Sequence, residues 1–430
     1  MFQRGFYSTF SMWYINLNSL CMKLLTVLSS MDPKAGGIAQ GIRNNAPFWE
    51  AAGFSDTIVT MDDPNASFVQ SNNVIALGPG SNVWGYSEKF KNWIFDNISN
   101  YDAIVVHGLW LYNNYILFKA IKALKIAGKP IPKIFVMPHG MLDPYFQKSN
   151  TRILKAIRNT VYWHLIEKRL IKIADAVLFT CEEEMRLAAT TFADYKPKKV
   201  FNIGFGINTP PQLNSKQQIA FDVLTPQLHR ALPELGNQPY ILFLGRIHPK
   251  KGVDLLIDAY ATIKNKFWND GNKLPILVIA GPDSDTKYTD TLKLQVKNNP
   301  LLENSILFTG MLQGDSKWGA LYGCEAFILP SHQENFGIAV VEAMACSKPV
   351  LITNKINIFT EIELGKGGIV ENDDLEGTMN LLTKWISFNS DEKKEMGQNA
   401  YNTYQSKFTT RSTNKQFVKV LELYTNKMVS

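Results

Sequence analysis

AFILPSHQENFGIAVVEAMACSKPVLIT, residues 326–353, joins two short apolar runs through a polar loop and a helical stretch. The first run ends at Pro330, a residue that cannot donate to a sheet ladder. Phe336 and Gly337 open a helix that runs through Ala345, and the second run, KPVLIT (348–353), follows. Neither run alternates polar with apolar residues. Both therefore predict strands covered on two faces, as in parallel sheets.

The same unit recurs throughout the chain before this stretch. YILFLGR (240–246), ILVIAGP (276–282) and SILFTG (305–310) precede it in the second half. KLLTVLSS (23–30), DAIVVHG (102–108), KIFVMPHG (133–140), DAVLFT (175–180) and KKVFNIG (198–204) form a first set. Helical spacing follows each run, and this alternation predicts doubly wound α/β sheets. At 430 residues the chain is too long for one ordinary core, so two domains are expected. The predicted division is 1–21 as a non-core N-terminal extension, 22–210 as a first Rossmann-like domain and 240–411 as a second. Residues 211–239, rich in Pro, Asn and Gln, are read as the interdomain connection. The last helical stretch, about 412–430, comes after the second sheet is complete and is expected to pack back on the first domain.

Composition narrows the class. Hydrophobic residues make up 45%, ordinary for a globular chain, and the net charge of +7 is too mild to announce nucleic acid. Four scattered cysteines, Cys21, Cys181, Cys324 and Cys346, suggest neither a disulfide framework nor a zinc site, so a reducing cytoplasm is expected. Residues 1–21 hold no continuous apolar run of roughly 18 residues, the length of a membrane span.

The chemistry-bearing residues lie at strand ends, where open α/β sheets bind ligands. The helix start at 336–338 offers unpaired backbone N–H groups and a positive dipole, which suits an anion. Glu334 stands just before it and Glu342 lies about a turn and a half inside the helix. The two carboxylates could accept hydroxyl hydrogen bonds on either side of a bound diphosphate, as in a sugar–diphosphate–ribose ligand. GRIHPKKG (245–252), after the strand YILFLG, sets Arg246 and Lys251 in a tight turn from which cations can close over phosphates. A capped surface helix and a solvated basic turn are the plainer readings of the same residues. His139 stands at a strand end in MPHGML, and His107 has a similar place in VHGLW.

In this order, GRIHPKKG, AGPD (280–283), FTG (308–310) and ENFGIAVVE (334–342) resemble the retaining glycosyltransferases of family 4, the glycosyl transferases group 1. The resemblance covers about residues 22–400 and implies the GT-B fold, two Rossmann-like doubly wound domains facing a central cleft. It implies that Arg246 and Lys251 bind the donor diphosphate, and that Glu334 contacts the sugar hydroxyls. Asn335, Phe336, Gly337 and Ile338 would give backbone contacts, and Glu342 would hold the ribose. Thr309, Gly310 and Met311 would border the base. Gly36 and Gly37 match the family's glycine pair after the first strand, and His139 matches its histidine near the reacting sugar. QENFG departs little from the family's HENFG-type loop.

The implied activity is retaining transfer of a sugar to a glycan or lipid-linked glycan, in exopolysaccharide or cell-envelope polysaccharide synthesis. The nucleotide sugar, UDP- or GDP-linked, is a substrate, and no cofactor is expected. No DxD-like dyad stands among the candidate residues, so no metal is expected either. A non-catalytic nucleotide-sugar-binding protein, or another GT-B enzyme such as a storage-glucan synthase, is the competing reading. A dinucleotide oxidoreductase is disfavoured, because the GxG at Gly204–Gly206 runs into a proline pair instead of a helix. An α/β-hydrolase would need GxSxG, which is absent.

Residues 145–175 carry seven Lys or Arg against Glu167 and Asp175, with Leu154, Ile157, Tyr162 and Trp163 interleaved. Basic amphipathic helices favour anionic interfaces. An anionic membrane surface is therefore a candidate partner, reached from the cytoplasmic side. A solvated basic face over a core stripe is the competing reading of this stretch.

Overall fold

The first strand, β1 (Met22–Val27), turns a continuous apolar run into a two-sided core. Met22 and Leu24 enter one layer with Ile42, Trp49 and Phe417. Leu25 and Val27 enter the opposite layer with Phe90, Val106 and Trp163, because successive strand side chains alternate. Beside β1 run β2 (Phe54–Thr60), β3 (Val74–Ala76), β4 (Ala103–His107), β5 (Lys133–Met137), β6 (Ala176–Phe179) and β7 (Val200–Asn202). They form a parallel sheet in the order β3-β2-β1-β4-β5-β6-β7.

A second parallel sheet holds β8 (Tyr240–Leu244), β9 (Ile276–Ala280), β10 (Ile306–Gly310), β11 (Ala326–Leu329), β12 (Val350–Thr353) and β13 (Gly368–Glu371). Its order is β10-β9-β8-β11-β12-β13. Both sheets reverse direction of growth beside their first strand, between β1 and β4 and between β8 and β11. Such reversals open ligand crevices beyond the carboxyl ends of the strands.

This computed structural model describes residues 22–33, 37–81, 84–148, 153–225, 239–268 and 274–425. The predicted extension over 1–21 and Gly36 lie outside the described residues, as do 226–238 of the connection and 426–430 of the last helix.

The apolar runs that predicted strands are strands, but β2, β3 and β13 were not foreseen. β2 carries Ser55, Asp56 and Thr57 before its apolar end, β3 has three residues, and β13 begins on glycine. None of the three offers a long apolar run. The connection also differs from its reading as a plain linker. It contains a helix, Ser215–Asp222, with a capping box formed by Asn214 and Gln217. That helix packs on the helix Gly314–Gly323 so closely that a Cβ on Gly319 would stand 2.1 Å from the Gln217 carbonyl oxygen.

The last helix, Thr410–Thr425, returns to the first domain. Phe417, Val420 and Leu421 join the layer under β1, and the Trp49 indole donates to Asn414 Oδ1 at 2.7 Å. The outgoing and returning chains run side by side, with Ile207 N donating to the Phe408 carbonyl at 2.8 Å. A Cβ on Gly206 would lie 2.5 Å from Thr410 Cα. The glycines of the 204–206 stretch thus let two crossing segments pass.

Candidate active site

The turn after β8 is fixed by its own side chains. His248 Nδ1 accepts from Lys250 N at 3.0 Å and caps the single turn Pro249–Lys251. Gly252 closes it with φ 65°, and a Cβ there would sit 2.1 Å from the Pro330 carbonyl oxygen. Only glycine allows that approach in that conformation. It brings the turn against the loop after β11, where the Lys251 ammonium donates to the Glu334 carboxylate. Burial pushes the Glu334 carboxyl up, but Lys251, with Lys250 and Arg246, outweighs it and holds the group below its usual value. Lys250 itself is pushed down to about 8, chiefly by burial, with Glu334 opposing. Arg246 is exposed at the mouth of the turn.

The loop 331–337 contacts both domains. Gln333 Nε2 donates to Asp143 Oδ2 at 2.9 Å, and Asn335 Nδ2 donates to Thr180 Oγ1 at 3.1 Å, both across the cleft. Phe336 is buried between Phe205 and Phe408, where the two chain crossings meet. Gly337, at φ 76°, leads into the helix Ile338–Ala345. The helix starts two residues later than Phe336, its expected first residue. Glu342, in its second turn, accepts from Lys317 Nζ at 2.8 Å. Lys317 lies over the Trp318 ring on the helix Gly314–Gly323, which closely follows Thr309, Gly310 and the exposed Met311.

The first domain supplies the facing wall. Gly37 begins the helix Gly37–Ala51, and a Cβ on it would meet Ile338 Cδ1 at 2.5 Å. His139 and Gly140 have φ 53° and 78°, and a Cβ on Gly140 would meet the Asn335 side chain at 2.7 Å. Their turn hangs from Glu184, which accepts from Gly140 N, Thr180 N and Thr180 Oγ1. Because Thr180 also accepts from Asn335, one buried carboxylate ties the His139 turn to the QENFG loop. Burial raises the pKa of that carboxyl against those hydrogen bonds. At the end of β4, His107 Nδ1 lies 2.8 Å from His139 Nε2 with the rings stacked. Burial pushes His107 down to about 3, and His139 well below its usual value, with His107 adding to the shift.

Lys251 and Glu334 are thus in contact, Ile338 faces Gly37, and His139–Gly140 faces Asn335. Lys317, Glu184, Gln333 and Asp143 were not singled out from sequence. Glu184 had a signal, since it is the third of three acids opening the helix Glu182–Thr191. Lys317 had none, because its partner lies 25 residues away on another helix.

Residues 225–403 match the family model described as "Glycosyl transferases group 1". Through this domain, the chain is similar to the glycosyl transferases group 1. Among curated relatives it is similar to the capsular polysaccharide biosynthesis glycosyltransferase CapM of Staphylococcus aureus. The two are 23% identical over 337 residues, 73% of this chain and 84% of that one. It is also similar to the D-inositol 3-phosphate glycosyltransferase of Gordonia bronchialis, 27% identical over 166 residues. That match covers 38% of this chain but only 36% of the relative, about a third of its length. In fold the chain is similar to Anabaena HepE in complex with UDP, with a TM-score of 0.68 at 18% identity. The superposition covers 94% of this chain and 100% of that one, and the shared fold is GT-B.

Proposed function

We propose that this chain is a retaining glycosyltransferase that uses a nucleotide-sugar donor, UDP- or GDP-linked, without a metal ion. The observation that carries the reading is the contact of Lys251 with Glu334 beside the helix start at Ile338, opposite His139 and Gly140. In this reading the donor diphosphate lies on Arg246, Lys251 and the first N–H groups of the helix Ile338–Ala345. Cations and an oriented helix start stabilise the charge that grows on the departing diphosphate. Glu342 holds the ribose, and Thr309, Gly310 and Met311 border the base. Glu334 accepts from sugar hydroxyls, with Lys251 keeping it ionised, and His139 faces the reacting sugar. The acceptor hydroxyl attacks from the face that the diphosphate leaves. UDP is favoured among donors by the solved HepE complexes with UDP and UDP-glucose.

The acceptor is a glycan or lipid-linked glycan of exopolysaccharide or envelope polysaccharide synthesis, a reading supported by the similarity to CapM. The enzyme would work in the cytoplasm, peripheral to the inner face of the membrane. No helix among the described residues is long and apolar enough to cross a membrane.

Glu342→Ala is expected to weaken binding of the bare nucleoside diphosphate. Glu334→Ala is expected to leave that affinity nearly intact and to weaken the whole nucleotide sugar. Calorimetric titration of both ligands into both variants checks this. The opposite pattern would mean that the donor lies the other way round.

A further inference from the structure

His139 is held in two ways. Its backbone sits at φ 53°, a conformation that a residue other than glycine keeps when its surroundings impose it. Glu184 helps impose it by accepting from the next amide, Gly140 N. The ring is held by a second group. His107, the last residue of β4, is buried and brings its Nδ1 to 2.8 Å from His139 Nε2. The ring centroids are 5.1 Å apart and the planes differ by 20°, so one N–H can lie close to both planes.

Burial favours the neutral ring at both positions, so this bond contains a single hydrogen. Two arrangements are open to it. If His139 donates from Nε2, His107 accepts at Nδ1 and carries its own hydrogen on Nε2. If His107 donates from Nδ1, its Nε2 is a bare acceptor and His139 carries its hydrogen on Nδ1.

The surroundings of His107 Nε2 separate the two. This nitrogen is buried and has no hydrogen-bond partner among the described residues. His107 lines a small cavity whose other walls are mainly apolar, among them Ile38, Ile42, Met137, Phe205 and Phe417. A buried N–H without an acceptor is rarer in folded proteins than a buried acceptor left unused. The hydrogen between the rings is therefore assigned to His107 Nδ1. On the other side, His139 keeps a partly exposed surface at the cleft, and Nδ1 is the ring nitrogen that His107 leaves free.

We propose that His107 is a positioning residue, whose Nδ1–H occupies His139 Nε2 and fixes the hydrogen of His139 on Nδ1. His139 then presents a donor to the cleft. A donor suits a hydroxyl oxygen of the sugar, and any oxygen on which negative charge grows. This rests on the reading that places His139 beside the reacting sugar. It deepens that reading by naming the atom that acts and the residue that sets it.

Long-range proton–nitrogen NMR of the full chain, isotope-labelled at histidine and assigned with single variants, tests the proposal. In the wild type both His107 and His139 should carry hydrogen on Nδ1, the less common form of a free histidine ring. Hydrogen on Nε2 of both rings would overturn the proposal. His107→Phe keeps a buried ring but removes the bond, and should shift His139 away from the Nδ1–H form. Turnover is read as release of nucleoside diphosphate from whichever UDP- or GDP-linked sugar most raises the wild-type melting temperature. His107→Phe should lower kcat by roughly 10- to 100-fold with KM little changed, the cost of a misplaced group at the reacting centre. His107→Asn, whose amide reaches the place of Nδ1, should recover most of that loss. Unchanged kcat in His107→Phe would also overturn the proposal, as would a loss that His107→Asn does not recover, the mark of a packing role. Wild-type turnover in His139→Ala would instead remove the functional reading of His139, a separate failure, since the NMR signature does not depend on turnover.

Discussion

Lys251→Ala is expected to weaken binding of the nucleoside diphosphate by roughly 10- to 100-fold, the worth of a hydrogen bond between charged groups. The variant also has a cost in stability. Lys251 and Glu334 are only 13% and 21% exposed, so removing the ammonium strands a carboxylate in a poorly solvated place. Breaking a fully buried pair costs about 3–5 kcal/mol, and this one should approach the lower end. The double variant Lys251→Ala, Glu334→Ala should regain much of that stability without regaining affinity. Arg246→Ala separates the two effects, because Arg246 is exposed and its loss should reduce binding at nearly constant melting temperature. If calorimetry finds both single variants binding like the wild type, the diphosphate does not lie on this turn.

His139→Ala is expected to lower kcat on the order of 100-fold, the scale of removing one preorganised group from a reacting centre. The melting temperature should change little by comparison, because His139 retains a partly exposed surface at the cleft. The pH profile adds a check independent of folding. Burial holds His107 at about 3 and His139 well below its usual value, so both favour the neutral form more than an ordinary histidine does. The profile of kcat should lack an inflection at the usual histidine value. Activity that falls only in step with the melting temperature would make His139 a core residue.

Much of this architecture was legible because its strands are buried on both faces. AIVVH, YILFL and ILVIA are covered at every position, so their sequences hold no polar alternation to obscure them. β2 and β3 failed that test, since an edge of the sheet tolerates Ser55, Asp56 and Thr57 or only three residues. For the site, glycines and charges at strand ends marked the turn at 245–252 and the loop at 334–337. Their meeting was not legible, because it depends on Gly252 lying against Pro330. The bonds from Gln333 and Asn335 across the cleft span 190 and 155 residues, a separation no local pattern reports. The basic helix shows a different limit. Its charge could be counted from sequence, but periodicity alone did not say whether Leu154 or Tyr162 faced the core.

The central claim is that a nucleotide sugar binds between Arg246, Lys251 and the helix start at Ile338. Thermal unfolding of the wild type with a panel of UDP- and GDP-linked sugars tests it most directly. At 100 times its Kd, a ligand of the native state adds about 2.7 kcal/mol of stability. At least one donor should therefore raise the melting temperature by several degrees, and Arg246→Ala should abolish most of that rise. A panel in which no nucleotide sugar shifts the wild type at millimolar concentration would contradict the account.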